Sequence, residues 1–388
     1  MIVRPFLFLF FFSLFFPISI PNPIFSFSLS EIFAFLCFIG FLEEGIKNPK
    51  KLINFCKKNI VLCGFFLIVV ISLLASFIIS IDKYSAFRGL LKYFFAFSVF
   101  LYFISHEFSQ SEYNFLIKSI SQISYISMIF AIISFIFVDS WTTPSGFRFF
   151  NIHPNTSGQI FLVAMVTSTK IFFDSRKLHL SFLSFILGFI LIFLSGNKTA
   201  LLLSILFSFY FLYKFILFRQ TYLLLFIFIL IPIFSSVIVT VYQLDYIQRL
   251  IEIFSNPMGY RTIIARFDIY SNALILIKNY PFGLGVYNIE LLLRDDFGTL
   301  LNHPHNIILQ FFLEIGIIGA VSLLFFIFIL FFKGLFLSQS SRVFIVVCVL
   351  YFLMNNLSGG FSAVSHLIFW SYLGLSTNFL YNGSKSDA

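Results

Sequence analysis

The chain is dominated by long apolar stretches that are separated by short polar segments. Within these stretches apolar residues follow one another continuously, and most stretches are long enough to cross a bilayer as a helix. A transmembrane β-barrel is excluded, because its strands alternate apolar and polar residues over about 10 positions. The pattern predicts twelve membrane-spanning helices, at approximately residues 5–20, 24–42, 60–81, 89–105, 114–138, 158–173, 180–194, 199–217, 222–242, 304–332, 343–357 and 364–381.

One long segment does not fit the spanning pattern. Residues 1–242 hold nine of the predicted spans, residues 243–303 form a long loop, and residues 304–388 hold the last three spans. Two sets of apolar residues in the loop repeat at helical spacing, so we expect two amphipathic helices that lie on the membrane or on the bundle. These sets are Leu244, Ile247, Ile251 and Phe254, and then Ile263, Phe267, Tyr270, Leu274 and Ile277. Pro281, Gly283 and Gly285 predict a turn after the second helix.

Composition supports a membrane protein and excludes a soluble globular one. Only 11% of the residues are charged, against about 25% in soluble domains. The net charge of +9 would favour nucleic-acid binding in a soluble protein. Here most Lys and Arg residues lie between apolar runs, so they indicate how the chain is oriented in the membrane. We therefore predict no nucleic-acid partner.

The basic residues also predict which side of the membrane each loop occupies. The loop 43–59 holds Lys47, Lys50, Lys51, Lys57 and Lys58. Placing it in the cytoplasm puts most other Lys and Arg residues of the short loops on the same side, as the positive-inside rule requires. Both termini then lie in the cytoplasm, and the long loop lies outside.

Three outward-facing segments carry polar residues that orientation does not explain. They are residues 147–155, residues 195–200 and the end of the long loop at residues 302–306. Because all three lie on the same face of the membrane, we expect them to converge on one site.

The chemistry of these segments suits a phosphate-bearing substrate. Pro304 suits the first turn of a helix, which places His305 at the water–lipid boundary, where an imidazole can take a proton from a hydroxyl. The first-turn N–H groups and the helix dipole favour an anion there. Arg binds phosphate oxygens through a bidentate fork, and Lys does so as a point charge. The candidate cations are Arg148, Lys198, Arg261 and Arg266.

The span that follows His305 carries further features. His303 and His305 lack a third and fourth ligand at a suitable spacing, so we predict no metal site. Gly316 and Gly319 are expected to let a neighbouring helix approach closely. Glu314 lies one turn from Gln310, and a carboxyl group there is costly unless it is paired.

Several of these motifs resemble one known family. His305-Asn306, followed after nine residues by Gly316-x-x-Gly319, resembles the His-[Asn/Ser/Gln]-x9-Gly-x-x-Gly pattern of the O-antigen polymerase and ligase superfamily of bacterial envelope glycosyltransferases. Residues 266–285 resemble the Arg-x-x-x-Trp … Pro-x-x-Gly-x-Gly stretch of that superfamily, with Tyr270 in place of Trp.

Two further segments extend the resemblance. Residues 195–200 resemble the superfamily's Ser-Gly-Ser-Arg-Gly-Ala, with Lys198 where Arg is usual. Residues 148–155 resemble its Arg-x-x-x-x-x-x-Asn approach to the sixth span. A Lys keeps the charge but lacks the bidentate grip, so the assignment of Lys198 is weaker than that of Arg266.

The resemblance implies a fold and a reaction. The fold is an all-α, polytopic membrane bundle of the GT-C type, with one long periplasmic loop. The donor is a glycan on undecaprenyl pyrophosphate at the periplasmic face of the bacterial inner membrane. An acceptor hydroxyl attacks the anomeric carbon with inversion, and neither a metal nor another cofactor is needed.

The resemblance also assigns roles to residues of this chain. His305 is the base that activates the acceptor hydroxyl. Arg266 and Lys198 hold the pyrophosphate, with Arg148 or Arg261 in support. The remaining predicted substrate-binding residues are His303 and Asn306.

Three functions stay open from the sequence. A polymerase would transfer the growing chain to a second lipid-linked repeat unit, and a ligase would transfer it to lipid A–core. We prefer the polymerase, because polymerases are the more numerous and varied group. The third possibility, from a different functional class, is a transporter of lipid-linked oligosaccharides. Transporters often carry internal repeats and ionisable groups near the membrane midplane. The expected partners are the donor and acceptor glycolipids, membrane lipids and a chain-length regulator.

Overall fold

The apolar stretches form helices that are joined by short connections. The computed structural model describes residues 3–20, 27–138, 140, 142–143, 146–218, 261–289, 292, 304, 306–334, 336, 342–358 and 363–382. The helices are α1 (Val3–Phe15), α2 (Leu29–Lys47), α3 (Pro49–Lys58), α4 (Ile60–Ile79), α5 (Lys83–Ser105), α6 (Gln110–Phe137), α7 (Pro154–Asp174), α8 (Leu178–Leu194), α9 (Lys198–Phe218), α10 (Arg261–Asn279), α11 (Ile307–Gly334), α12 (Arg342–Ser358) and α13 (Ala363–Asn382).

Extended structure is confined to connections in this described part of the chain. Strand β1 (Ser19–Ile20) pairs antiparallel with β2 (Phe27–Ser28), and β3 (Thr142–Thr143) pairs with β4 (Gly146–Phe147). A single 3-10 turn at Phe149–Asn151 precedes α7. The prediction of an all-α polytopic membrane bundle is therefore confirmed.

The number of helices that could span a membrane is smaller than predicted. Among the described residues, five helices are both long and apolar enough, namely α4, α5, α6, α7 and α11. Shorter apolar helices lie at Val3–Phe15, Leu178–Leu194, Lys198–Phe211 and Arg342–Asn356, and such lengths cross a bilayer only with tilt or local thinning. The ninth predicted span, at 222–242, lies outside the described residues.

The first two predicted spans end and begin at different residues from those expected. Helix α1 ends at Phe15, and α2 begins only at Leu29. Ser28 sets this start through a capping box, in which the Glu31 side chain accepts a hydrogen bond from the backbone N–H of Ser28 at 2.7 Å. Glu31 is therefore explained as a helix cap.

The predicted cytoplasmic loop 43–59 contains a helix that the hydrophobic pattern did not reveal. Helix α3 begins at Pro49, which suits the first turn of a helix. Its sequence, PKKLINFCKK, is strongly amphipathic and too polar to be a span.

The centre of the bundle is α7. Burial covers 83% of its apolar window, against 22% for that of α4. Helix α7 packs against α6, α8 and α12, whereas α4 packs chiefly against α11. A helix that is surrounded by other helices is the scaffold on which the outer helices are arranged.

The second predicted loop helix is present as α10, and Tyr270 and Ile277 of the predicted apolar set pack against the neighbouring cluster, but the buried face is shifted from the predicted one. Ile269, Ala273 and Leu276 are buried in a cluster with Leu313 of α11. Phe267, from the predicted apolar set, is 62% exposed, and Leu274 of the same set is also exposed. Helix α10 carries apolar residues on two faces, so the contact with α11 decides which face is buried. The first predicted loop helix lies outside the described residues.

Helix α11 is broken at Gly316, and the segment after α10 fills the break. Gly316 has φ of 74°, a conformation that favours glycine. The Leu313 carbonyl accepts from the N–H of Leu284 at 2.7 Å, and the N–H of Ile317 donates to the Pro281 carbonyl at 2.8 Å. We call residues 281–289 the wedge, since they insert between α11 and the turn that joins α4 to α5.

The two glycines expected to admit a neighbouring helix differ in role. A Cβ on Gly319 would lie 2.6 Å from Cβ of Ser72 on α4, so Gly319 does admit a helix. A Cβ on Gly316 would lie 2.4 Å from the carbonyl carbon of Phe282, so its close neighbour is the backbone of the wedge. The prediction of helix–helix packing is therefore wrong for Gly316, because the local left-handed conformation opens α11 to a loop.

We expect Gly316→Ala to destabilise the protein in detergent. The strained φ alone should lower the free energy of unfolding by about 1–3 kcal/mol, and the clash with Phe282 adds to this. Gly64→Ala in α4 is the matched control, because a Cβ there meets nothing within 4 Å. Thermal unfolding of both variants tests the expectation. Equal melting temperatures would contradict the role assigned to the break.

Candidate functional site

Two of the three predicted polar segments contact each other directly. The Asn197 side chain, in the turn between α8 and α9, donates a hydrogen bond to the Asn155 carbonyl at 2.7 Å. A Cβ on Gly158 of α7 would lie 2.5 Å from Oγ of Ser195, so the α8–α9 turn approaches α7 too closely for any side chain there. The start of α7 and the start of α9 are thus held together at one end of the bundle.

The turn between α8 and α9 owes its shape to two residues. Gly196 has φ of 68°, which ends α8 in a left-handed residue. Oδ1 of Asn197 accepts from the N–H of Ala200 at 3.0 Å and so caps the start of α9. Asn197 therefore uses its buried side chain twice, once for the cap and once for the contact with Asn155.

The start of α11, which follows the third polar segment in the chain, is joined to α7 through α12. Nε2 of Gln159 on α7 donates to Oδ1 of Asn355 at 3.1 Å, and its Oε1 accepts from the Tyr351 hydroxyl at 3.2 Å. The next residue along α12, Asn356, accepts from the N–H of Ile308 at 3.3 Å. The starts of α7 and α11 therefore lie at the same end of the bundle as the C-terminal end of α12.

The residues that make this connection were missing from the sequence-based site. Gln159, Asn355 and Asn356 lie inside apolar stretches, and polar side chains inside spans are a signal of buried pairing or of function. The sequence alone does not pair Gln159 with Asn355, because they are 196 positions apart.

The beginning of α11 is capped by two asparagine side chains, one of which comes from α12. Oδ1 of Asn306 accepts from the N–H of Leu309 at 3.0 Å. With Asn356 on the N–H of Ile308, two first-turn donors are already occupied. The expectation that these donors bind an anion is therefore not met for those two groups, because side-chain amides satisfy them first. The substrate-binding role predicted for Asn306 stays a prediction.

Three of the predicted cations fall within the described residues. Lys198 is the first residue of α9 and is exposed. Arg148 is half-buried beside the 3-10 turn, and its Nε atom is buried with no hydrogen-bond partner among the residues that the structure describes. Arg266 is half-buried on α10. Arg266 lies one turn before Ile269, which is buried in a cluster with Leu313 of α11.

A further imidazole lies beside Arg148. His153 precedes α7, and its Nδ1 accepts from the N–H of Asn155 at 3.2 Å. Partial burial lowers the pKa of His153, and the positive charge of Arg148 lowers it further. The imidazole is therefore neutral at pH 7, as its role as an acceptor requires. The repetition of His-Pro at 153–154 and 303–304 is the signal in the sequence that could have drawn attention to it.

The remaining predicted site residues are not positioned by the structure. His303 and His305 lie outside the described residues, as does the side chain of Arg261, whose backbone begins α10. Among the residues that are described, no three His, Cys, Asp or Glu side chains could hold a metal ion together. The roles of His305, His303 and Arg261 stay predictions.

Comparison with known families bears on this arrangement. Residues 183–324 match the family model described as O-antigen ligase. This match confirms the resemblance to the O-antigen polymerase and ligase superfamily. The matched region includes the Lys198 segment, α10 with the wedge, and α11 through Gly319, whereas the Arg148 segment precedes it. No curated protein matches the chain.

We expect Asn197→Ala to loosen this end of the bundle. It removes the hydrogen bonds to Asn155 and Ala200 and leaves buried backbone groups unsatisfied, which should lower the free energy of unfolding by about 1–3 kcal/mol. Asn114→Ala is the control, because Asn114 is exposed on α6. Thermal unfolding and hydrogen exchange at residues 195–200 measure the effect. Protection of the α8–α9 turn that matches the wild type would refute it.

Proposed function

We propose that this protein is a glycosyltransferase that extends or transfers an envelope glycan at the periplasmic face of the bacterial inner membrane. The observation that carries the proposal is the meeting of the superfamily-like segments at one end of the bundle, through Asn197 with Asn155 and through α12 to the start of α11. The superfamily match supports the reaction class.

The proposed reaction needs a base and a cation site. His305 takes the proton of an acceptor hydroxyl as its oxygen attacks the anomeric carbon of the donor. The bond from that carbon to undecaprenyl pyrophosphate breaks, with inversion, and the pyrophosphate leaves with the negative charge. Arg266 and Lys198 stabilise this developing charge, with Arg148 or Arg261 in support. The residues need no metal or organic cofactor for this reaction.

We propose a polymerase as the specific activity, in which the acceptor is a second lipid-linked repeat unit. A ligase that uses lipid A–core as acceptor is the second candidate, and the description of the matched family, O-antigen ligase, favours it. Both activities use the same donor and the same base, so the acceptor alone separates them.

A transporter of lipid-linked oligosaccharides is disfavoured by the distribution of polar residues. Within the described part of the chain, the polar connections of Asn197 with Asn155, of Gln159 with Asn355 and of Ile308 with Asn356 lie at one end of the bundle. Movement of lipid-linked glycan across reconstituted vesicles without glycosyl transfer would support the transporter instead.

We expect His305→Ala to abolish glycosyl transfer while the protein still folds and inserts. His179→Ala is the control, because His179 is exposed in the first turn of α8. The measurement is a lipopolysaccharide gel of a deletion strain complemented with each variant. A core that carries one repeat unit identifies the polymerase, and a bare core with polymer accumulating on the lipid carrier identifies the ligase. Full activity of His305→Ala at normal expression would refute its role as the base.

We expect Lys198→Ala to slow transfer by about 100-fold, because it removes a fixed charge beside the leaving pyrophosphate. Lys198→Arg should retain transfer, because Arg supplies the charge with a bidentate fork. Lys177→Ala, an exposed substitution at the α7–α8 turn, should leave the rate unchanged. Initial rates with purified donor measure these effects. Equal rates for Lys198→Ala and Lys177→Ala would remove Lys198 from the cation site.

A further inference from the structure

Glu314 is a carboxyl group buried inside α11, and the proposed reaction does not use it. Only 1% of its surface is exposed. Oε2 accepts from the Tyr93 hydroxyl at 2.9 Å, and Oε1 accepts from Nε2 of Gln310 at 2.8 Å. The backbone N–H of Tyr287 also donates to this carboxyl group. A buried carboxyl group is costly unless it is hydrogen-bonded, and here it accepts from three donors.

These three donors belong to three different parts of the molecule. Tyr93 lies on α5, Gln310 lies on the first half of α11, and Tyr287 lies in the wedge. Glu314 is therefore a junction between the bundle and the wedge. Its position, two residues before the break at Gly316, puts the junction where α11 is interrupted.

The wedge is held tightly at this junction. Tyr287 has φ of 65°, which is strained for a residue with a side chain. Its hydroxyl accepts from Lys92 of α5, and Nζ of Lys92 lies 4.4 Å from the centre of its ring. Asn288 accepts from the N–H of Asp82 at 2.9 Å and donates to the Asp82 carbonyl at 3.3 Å. A strained backbone persists only where such contacts determine it.

The wedge in turn positions α10. Buried apolar residues of α10, the wedge and the first half of α11 form one cluster, which consists of Ile269, Ala273, Leu276, Leu284, Ile289 and Leu313. We call these three packed segments the outer unit. Arg266 lies on α10 and therefore belongs to the outer unit. Arg148 precedes α7 beside the 3-10 turn, and Lys198 begins α9.

We propose that Glu314 is a positioning residue that fixes the outer unit against α5 and so sets the separation between Arg266 and the α9 end of the site. The consequence for transfer rests on the proposed function, whereas the effect on the position of α10 does not. A donor pyrophosphate can be held from both sides only if this separation is constant.

The test combines a distance measurement with kinetics on the full-length protein. Spin labels are placed at two exposed positions by Phe267→Cys on α10 and Leu202→Cys on α9, after Cys56 and Cys63 are replaced by Ser. The distance distribution of the labelled protein that keeps Glu314 is compared with that of the labelled Glu314→Gln variant. The variant keeps the shape of the side chain but puts an amide N–H against a donor. Glu107→Gln, at an exposed position between α5 and α6, is the matched control.

We expect Glu314→Gln to broaden or shift the distance distribution and to lower kcat by about 10- to 100-fold, with a small change in KM. Glu107→Gln should change neither. Tyr93→Phe, which removes one donor and keeps the ring, should give a smaller effect in the same direction. This second variant also keeps the test decisive if Glu314→Gln fails to fold.

Two results would overturn the proposal. One is a distance distribution equal to that of the wild type in both Glu314→Gln and Tyr93→Phe. The other is a loss of activity that follows only the yield of folded protein, with kcat per folded molecule unchanged. If the wild-type protein itself showed no transfer, the proposed function would fail, but the distance measurement would still test the position of α10.

Discussion

The architecture depends on the repair of a broken helix. Inside a membrane an unsatisfied backbone group costs several kcal/mol, so a span can be interrupted only where another part of the protein supplies its hydrogen bonds. At Gly316 the wedge supplies them, through the Leu284 N–H to the Leu313 carbonyl and through the Pro281 carbonyl to the Ile317 N–H. Because the wedge follows α10 directly, this repair also fixes where α10 lies. A backbone interaction thereby connects the long loop to the bundle.

Polar side chains inside the bundle act as specific links between helices. Association of helices in lipid gains little from the hydrophobic effect, so hydrogen bonds and close packing decide which faces meet. Gln159 with Asn355 joins α7 to α12, and Tyr93 with Glu314 joins α5 to α11. Gly158 and Gly319 allow the close approach of neighbouring segments. The same links that stabilise the bundle therefore also bring the superfamily-like segments to one end of it.

The pattern of apolar residues was sufficient for the fold class and for most helices, because a bilayer imposes length and continuous hydrophobicity on every span. The pattern did not predict where each helix begins and ends or which of its faces is buried. The capping box at Ser28 delays the start of α2. The buried face of α10 centres on Ile269 and Ala273, whereas Phe267, which was expected to pack, is exposed. The first difference arises from local hydrogen bonds and the second from a tertiary contact. The spacing of apolar residues indicates neither.

The sequence by itself determined the membrane class, the resemblance to the superfamily and the segments that carry candidate chemistry, because these depend on composition and on residues that are close in the chain. Only the tertiary structure decided that Gly316 opens α11 to the wedge, that Asn197 meets Asn155, and that Glu314 joins three elements. Such pairings lie tens to hundreds of residues apart. They follow from which helices pack together, and a single sequence does not specify this packing residue by residue.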